Sequence, residues 1–333
     1  MHIFKNTHFN FLRWRWHAVA LSWVVILSGL AMFAVKGIPK GIEFAGGTSI
    51  VVEFDHDVSI EAVRNELNRN YPGGGGDAIV QTFDDPSKHR VMVRVPEVGA
   101  EQGTSLSAKA QAVEAALRKG NLGNFKVVQT EIVGPAVGKE LTTKGTWAMV
   151  LSLAGILAYI AFRFQFSFAI GAVVATIHDL LVTFAFLVFF QYDLSLNVIA
   201  AILTVTGYST NDTIVIFDRV RENMRAMRRE SLDDVINTAL NQTLGRTVIT
   251  AGTALLSALA LFLFGGEVLH GFAFTMIVGI ITGTYSSIFV AAAIVTFWRR
   301  KDHRSAAAPL AADAVSPGTA PVRRSKQRKA RAS

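Results

Sequence analysis

Residues 207–223 read GYSTNDTIVIFDRVREN: they begin inside an apolar run, end on arginines, and place Asn211 and Asp212 before the run is over. An aspartate at the centre of a membrane helix costs about 2.5–3.5 kcal/mol on insertion scales, so such a group faces a bundle interior. Ser209 at i−3 and Tyr208 at i−4 share the face of Asp212 and offer hydroxyls. Asn211 is turned about 100° away, in a position to bridge to a neighbouring helix. An acid, an amide and hydroxyls inside a membrane bundle are the groups that reversible protonation on a water-accessible path requires.

The rest of the chain supports a membrane setting. Hydrophobic residues make up 51% and charged residues 17% of 333 residues, and the mean hydropathy of +0.36 excludes an ordinary soluble domain. Six apolar runs, at 18–35, 147–162, 168–190, 196–217, 248–264 and 269–297, suit helical crossings of ~20 residues. The second and fifth are short and extend into their flanks. The first follows Lys5, Arg13 and Arg15 as a signal peptide would, but it is long and has only a weak small-residue site near Ala31 and Ala34, so it is read as a retained helix. The absence of cysteine excludes disulfides and thiolate metal sites. No H-E-x-x-H motif and no Ser/His/Asp set points to an enzyme or a metal centre.

Arg219, Arg221, Arg225, Arg228, Arg229 and Arg246 fall in one loop, and Arg299, Arg300, Lys301, Arg304 and the terminal RRSKQRKARAS follow the last apolar run. The turns QYDLSLN (191–197) and GGEVLH (265–270) hold neither Lys nor Arg. The positive-inside rule then gives six crossings with both termini on the inner side. Residues 1–17 form the inner N-terminus, 18–35 the first helix, 36–145 an external domain, and 146–298 helices two to six with the basic inner loop 219–246. The tail 299–333 has the composition of a disordered segment, and the basic loops suit anionic lipid. The net charge of +8 is therefore a topology signal, and no specific nucleic-acid site is assigned.

Residues 36–145 hold 13 Lys or Arg and 14 Asp or Glu between Lys36 and Lys144, which gives no single-sign field for steering a charged partner. TSIVVEF (48–54), DAIVQTF (77–83), HRVMVRV (89–95) and FKVVQTEIV (125–133) read as strands. SIEAVRNELNRN, capped by Ser59, and SLSAKAQAVEAALRKG, ended by Gly120, read as helices. The order βαββαβ predicts a ferredoxin-like α+β domain whose sheet leaves one face free. Gly73 to Gly76 lack a following Lys-Ser/Thr and read as a turn rather than a phosphate loop.

Two further ionisable groups, His178 and Asp179, lie near the middle of the third run. Each buried acid also has a structural reading, as a static interhelical hydrogen bond or, for Asp212, a fixed ion pair with Arg246. Adjacent helical positions send the His178 and Asp179 side chains in different directions, so His178 is read as a packing or carbonyl-bonding residue. Gly279 and Gly283 in GIITG form a small-xxx-small pattern for close helix packing. Residues 231–244, with Ser231 as cap and Asp234 three later, read as an amphipathic helix on the inner membrane surface.

GYSTNDTIVIFDRVREN, LGRTVITAGT (244–253), GIEFAGGT (41–48), the HD of the third run and GTYSSIF (283–289) occur in an order and topology that resemble the SecF family, subunits of bacterial SecDF protein-export membrane proteins. The resemblance covers nearly all of residues 15–300. It implies a six-helix half of a pseudo-twofold transporter of the resistance-nodulation-division superfamily, multi-pass in the inner membrane with cytoplasmic termini and a periplasmic domain. Its obligate partner would be SecD. The SecYEG channel, YajC, YidC and unfolded preproteins are the further partners implied.

The resemblance also implies use of the proton gradient without a cofactor or metal. Asp212 matches the family's proton-coupling acid and Arg246 its counter-charge. Asp218 and Arg219 match the motif's DR, and Ser209, Asn211, His178 and Asp179 are supporting residues. A carboxylate with hydroxyl and amide neighbours also suits sodium in place of the proton. Two other classes share some of these features: half of a small-molecule exporter of the same superfamily, against which the GYS-x-ND signature argues, and a non-transporting assembly scaffold. The tail beyond residue 300 matches no motif of the family.

Overall fold

The computed structural model describes residues 7–72, 75, 78–83, 86–95, 103–163 and 165–297. The basic tail, most of the four-glycine turn and the first six residues lie outside the described residues. Nine α-helices and four strands are described, and every apolar run of the sequence lies in a helix. α1 (Arg15–Lys36) leads through a one-turn α2 (Ile42–Ala45) into the sheet domain. That domain comprises β1 (Gly47–Phe54), α3 (Ile60–Asn70), β2 (Ile79–Thr82), β3 (Arg90–Val95), α4 (Gly103–Lys119) and β4 (Phe125–Val133). α5 (Pro135–Arg163), α6 (Phe166–Phe189), α7 (Leu196–Ala226), α8 (Leu232–Phe264) and α9 (Glu267–Ser286) follow, and α9 continues through a π turn over Ser287–Ala291.

Strands run in the order β2-β3-β1-β4, each antiparallel to its neighbour. Alternation decides the two faces. Ile50, Val52, Phe54, Val91, Val93 and Val95 meet Val63, Leu67, Val113 and Leu117 in a core under α3 and α4. Ser59 caps α3 by accepting from the Ala62 N–H. On the other face Glu53 of β1 pairs with Arg90 of β3 at 2.7 Å and Lys126 of β4 at 2.5 Å, which ties three strands together. Hydrogen bonds from Lys126 and then Arg90 hold the Glu53 carboxyl below the ordinary carboxylate range.

The expected free face of the sheet is only partly free. Ser49, Val51, Met92 and Arg94 are buried, because the end of the bundle and α2 cover them. A cleft of about 350 Å³ lies between this face and the bundle, lined in part by Gln81, Glu131, Tyr192 and Gly271.

Within the bundle, α6 and α9 are more than half buried along their most apolar windows, whereas α1, α5 and α8 keep most of theirs exposed. Five helical stretches, Phe11–Lys36, Ala136–Arg163, Phe166–Phe189, Leu232–Phe264 and Val268–Phe297, are long and apolar enough to cross a membrane. α7 is not among them. Its thirty-one residues include Thr, Ser, Asn and Asp side chains that the neighbouring helices bury.

One expectation is corrected. The amphipathic segment and the fifth apolar run form the single helix α8, 33 residues and so about 50 Å long, with Gly245 in its interior. The apolar stripe of Val235, Ile236, Ala239 and Leu240 is buried against protein and not laid on a membrane surface. Asn237 and Asn241 clasp the backbone of Leu12 and Phe9, and Arg15 pairs with Asp233 at 3.2 Å, which fastens the start of α1 to this part of α8. The Ser231 cap is present, its hydroxyl accepting from the Asp234 N–H.

α1 reaches the bundle through Gly29, where a β-carbon would overlap Ala185 of α6, backbone included. Gly29→Leu is expected to open this seam at a cost of about 1–3 kcal/mol or more. A lowered Tm of the purified, partner-bound protein would register it, and an unchanged Tm would show that α1 does not pack this closely.

Candidate functional site

Helix α7 presents polar groups to three neighbours in succession. Toward α6, the Ser209 hydroxyl donates to Asp179 Oδ2 at 2.5 Å. Toward α8, Asp212 Oδ1 accepts from the Thr247 hydroxyl at 2.9 Å. Toward α9, the Thr213 and Ser287 hydroxyls meet at 2.8 Å, and Ser287 also donates to the Gly283 carbonyl. Positions 209, 212 and 213 recur at helical spacing, so one face of α7 carries the whole set.

Close approach makes these contacts available. On α9 a β-carbon at Gly279 would overlap Val205, and one at Gly283 would stand 2.8 Å from the Ser209 β-carbon. Gly283 therefore lies directly behind the hydroxyl that holds Asp179. The small-residue stripe thus has a defined partner, the Val205–Ser209 turn of α7. The π turn begins at Ser287, at the point where α9 meets Thr213. Such turns are frequent at functional sites because they displace the helical register locally.

The acids are deeply buried: Asp179 is 2% exposed and Asp212 7%. Asp179 is fully engaged, since His178 Nδ1 lies 2.9 Å from its second oxygen. The expectation that His178 and Asp179 diverge is thereby corrected, because their rotamers converge across adjacent positions. The His178 ring stacks loosely toward Tyr285, whose hydroxyl donates to the Ala18 carbonyl of α1. Asp212 differs from Asp179: its Oδ2 has no hydrogen-bond partner among the described residues. The hydroxyls of Thr183 and Thr210 are buried and likewise have no partner among the described residues.

The charge of Arg246 acts on Asp212 without direct pairing. Arg246 is exposed and forms no ion pair with Asp212 within 4 Å, and its neighbour Thr247 makes the contact instead. Asn211 is also exposed and does not form the expected bridge to another helix among the described residues. Asp218 lies 3.7 Å from both Arg163 at the end of α5 and Arg221. Arg219 donates to Gln242 of α8 at 2.8 Å, and Asn223 donates to the same oxygen at 2.9 Å. The DR pair thus ties helix ends together, away from the two acids. Sequence reasoning missed Thr247 and Thr213, although Thr247 stands inside the quoted LGRTVITAGT, whereas the hydroxyls of TYSSIF (284–289) were expected to bond between helices and Ser287 does so.

A bundle of long apolar helices, an interior line of carboxylates and hydroxyls, and a four-stranded domain between its first two long helices define a multispanning membrane transport protein. Residues 112–301 match the family model for the protein export membrane protein SecD/SecF, C-terminal, and residues 31–58 match the SecD/SecF GG motif. The protein translocase subunit SecF of Pseudomonas aeruginosa is 41% identical over 92% of this chain and 96% of its own. That of Desulfurispirillum indicum is 40% identical over 87% and 91%, and that of Escherichia coli O157:H7 is 37% identical over 86% of each. The crystal structure of SecDF, a translocon-associated membrane protein from Thermus thermophilus, superimposes with a TM-score of 0.78 at 32% identity. The match covers 89% of this chain and 39% of that one, so the chain spans about two fifths of SecDF. The chain belongs to the SecD/SecF protein-export family, among its SecF subunits.

Gly283→Val is expected to push Ser209 off Asp179 and to leave a buried carboxylate oxygen unpaired, at a cost of about 1–3 kcal/mol. Thermal unfolding of the SecD-bound protein measures this, and Gly283→Ala should fall between Val and wild type.

Proposed function

We propose that this chain is the SecF half of a SecD/SecF complex in the bacterial inner membrane, where it uses the proton-motive force to promote preprotein translocation and membrane-protein insertion. The chain crosses six times, α7 included, with both termini cytoplasmic and the βαββαβ domain, ferredoxin-like in its strand order, in the periplasm. SecYEG, YajC and YidC are the associated membrane proteins, and an unfolded preprotein is the substrate. The exposed amide of Asn211 on α7 and the exposed Arg246 on α8 are groups that the facing SecD half would cover.

One observation carries the mechanism: Asp212 is a buried carboxyl with one oxygen bonded to Thr247 and the other without a partner. A charged carboxylate so placed is under-solvated, and taking up a proton relieves it. The buried hydroxyls of Thr183 on α6 and Thr210 on α7, without partners among the described residues, suit a hydrated route through an interior of this kind. Protonated from the periplasm, Asp212 is neutral; on release to the cytoplasm it is charged and holds Thr247 more strongly. α7 and α8 repack between the two states, with Arg246 as the counter-charge of the second packing. One elementary charge crossing the membrane contributes about 2.3 kcal/mol per 100 mV to that work. Asp179, fixed by Ser209 and His178, positions α6 against α7 while the change occurs.

Asp212→Asn keeps the shape and removes the titration. In inverted membrane vesicles with equal amounts of assembled complex, the gradient-dependent part of preprotein translocation is expected to fall about tenfold or more. The gradient-independent part should persist. Unchanged gradient dependence would make Asp212 a scaffold residue and defeat the proton mechanism.

A further inference from the structure

Helices α6 and α7 carry the two buried acids and follow one another along the chain through residues 190–195. A shift of one helix against the other moves that turn, and the turn is fastened on the outer side by two sets of bonds. The first is ionic: Arg94 of β3 donates from Nη2 to Asp193 Oδ2 at 2.5 Å and from Nη1 to the Lys40 carbonyl at 2.8 Å. The second is backbone: the Gly41 N–H donates to the Leu194 carbonyl at 2.7 Å and the Leu194 N–H to the Pro39 carbonyl at 2.8 Å, so Lys40 and Leu194 pair as a short parallel bridge.

GIEFAGGT (41–48), which the proton mechanism leaves without a role, is built around this junction. A β-carbon at Gly41 would stand 2.9 Å from the Leu194 carbonyl oxygen and from the Ser195 α-carbon, so only glycine allows the clasp. One at Gly138 of α5 would meet Glu43 and Gly46 at 3.4–3.6 Å, which places α2 between α5 and the turn. Gly46 and Gly47 have φ of 70° and 115° and turn the chain directly into β1. β1 and β3 are the two central strands, so a displacement received at Arg94 or at Gly46 spreads through the ladder to the whole sheet.

The Arg94 side chain is 5% exposed, and an apolar side chain of similar volume would fill such a site equally well. A buried ion pair instead fixes direction and register. Arg94 Nε and Asp193 Oδ1 both lack a partner among the described residues, so the contact is single-pronged and can close into a two-pronged fork when the turn rotates. The adjoining cleft of about 350 Å³ gives the turn room to do so.

We propose that Arg94 and Asp193, with the Gly41–Leu194 clasp, form the joint that passes movement of α6 and α7 to the external sheet, and that both are positioning residues for gradient-driven translocation. This rests on the proton-driven reading above.

The test uses vesicles containing the whole complex and compares Asp193→Asn, Arg94→Gln, the pair combined, Asp193→Glu and Asp212→Asn. The two neutral variants are expected to lose about fivefold or more of the gradient-dependent translocation, and the combined variant to be no worse than the poorer single. Asp193→Glu keeps the charge and should retain most of it. Abundance and gradient-independent translocation should stay level, with Tm lowered in each single variant by the charge left unpaired and recovered in part in the combined one, whereas a merely structural pair would lower gradient-dependent and gradient-independent translocation together. Gradient-dependent translocation within about twofold of wild type in Asp193→Asn overturns the joint. Loss in Asp193→Asn with none in Asp212→Asn leaves the joint standing and removes Asp212 from the mechanism. Should Asp193→Asn fail to assemble, Arg94→Lys, which cannot span Asp193 and Lys40 with a rigid fork, carries the same prediction and the same overturning result.

Discussion

The 2.5 Å hydrogen bond from Ser209 to Asp179 is the contact on which the rest of the bundle depends. Water is scarce among apolar helices, so an ionisable side chain there must be met by another helix or left costly. Asp179 is met from both sides, by Ser209 and His178, and this fixes the rotation of α7 about its axis. With that rotation set, Asp212 must face α8 and Thr213 must face α9. Glycine at 279 and 283 brings α9 close enough for the last of these, so packing and polar pairing specify the same arrangement.

The two acids consequently play different parts. A carboxylate with a polar partner at each oxygen is held in one state, and moving it would break an interhelical bond and a contact within α6. A carboxylate with one bond and one open oxygen is balanced more finely, since gain or loss of a proton changes the strength of a single contact, Asp212 to Thr247. A bistable helix pair requires that the switching group not be over-determined by its surroundings. In the proposed mechanism the fixed acid at the α6–α7 contact and the under-determined acid at the α7–α8 contact divide those requirements between them.

Much of the fold was legible because it follows from periodicity. FKVVQTEIV and β4 coincide at 125–133, Ser59 and Ser231 cap as read, and each apolar run became a helix. The α8 boundary was missed because the pattern changes near Gly245 from amphipathic to uniformly apolar, and one glycine in a long helix does not break it. In the site, the position of Asp212 was readable from its cost, but its hydrogen-bond partner Thr247 was not. Arg246 and Thr247 differ by about 100° of helical phase, and only the neighbour assignment says which of them faces α7. His178 and Asp179 were separated by the same phase argument, yet freedom at χ1 and χ2 brought the ring nitrogen and the carboxylate together.

Arg94 and Asp193 show a limit of a different kind. Within its strand Arg94 reads as an outward residue on the polar face of an antiparallel sheet, and Asp193 reads as a solvated turn residue after an apolar helix. Neither local pattern contains the other, because 99 residues separate them. Their meeting depends on how the sheet is seated on the bundle, and the GIEFAGGT stretch decides that through the room Gly41 leaves for the Leu194 carbonyl. A glycine motif beyond the end of a membrane helix therefore has a mechanical reading: it removes side-chain bulk where two backbones must touch, so that one turn can hold both the connector and the strand. With that contact in place, a change at α7 has a bonded path to the sheet, and the charged pair gives the path its direction.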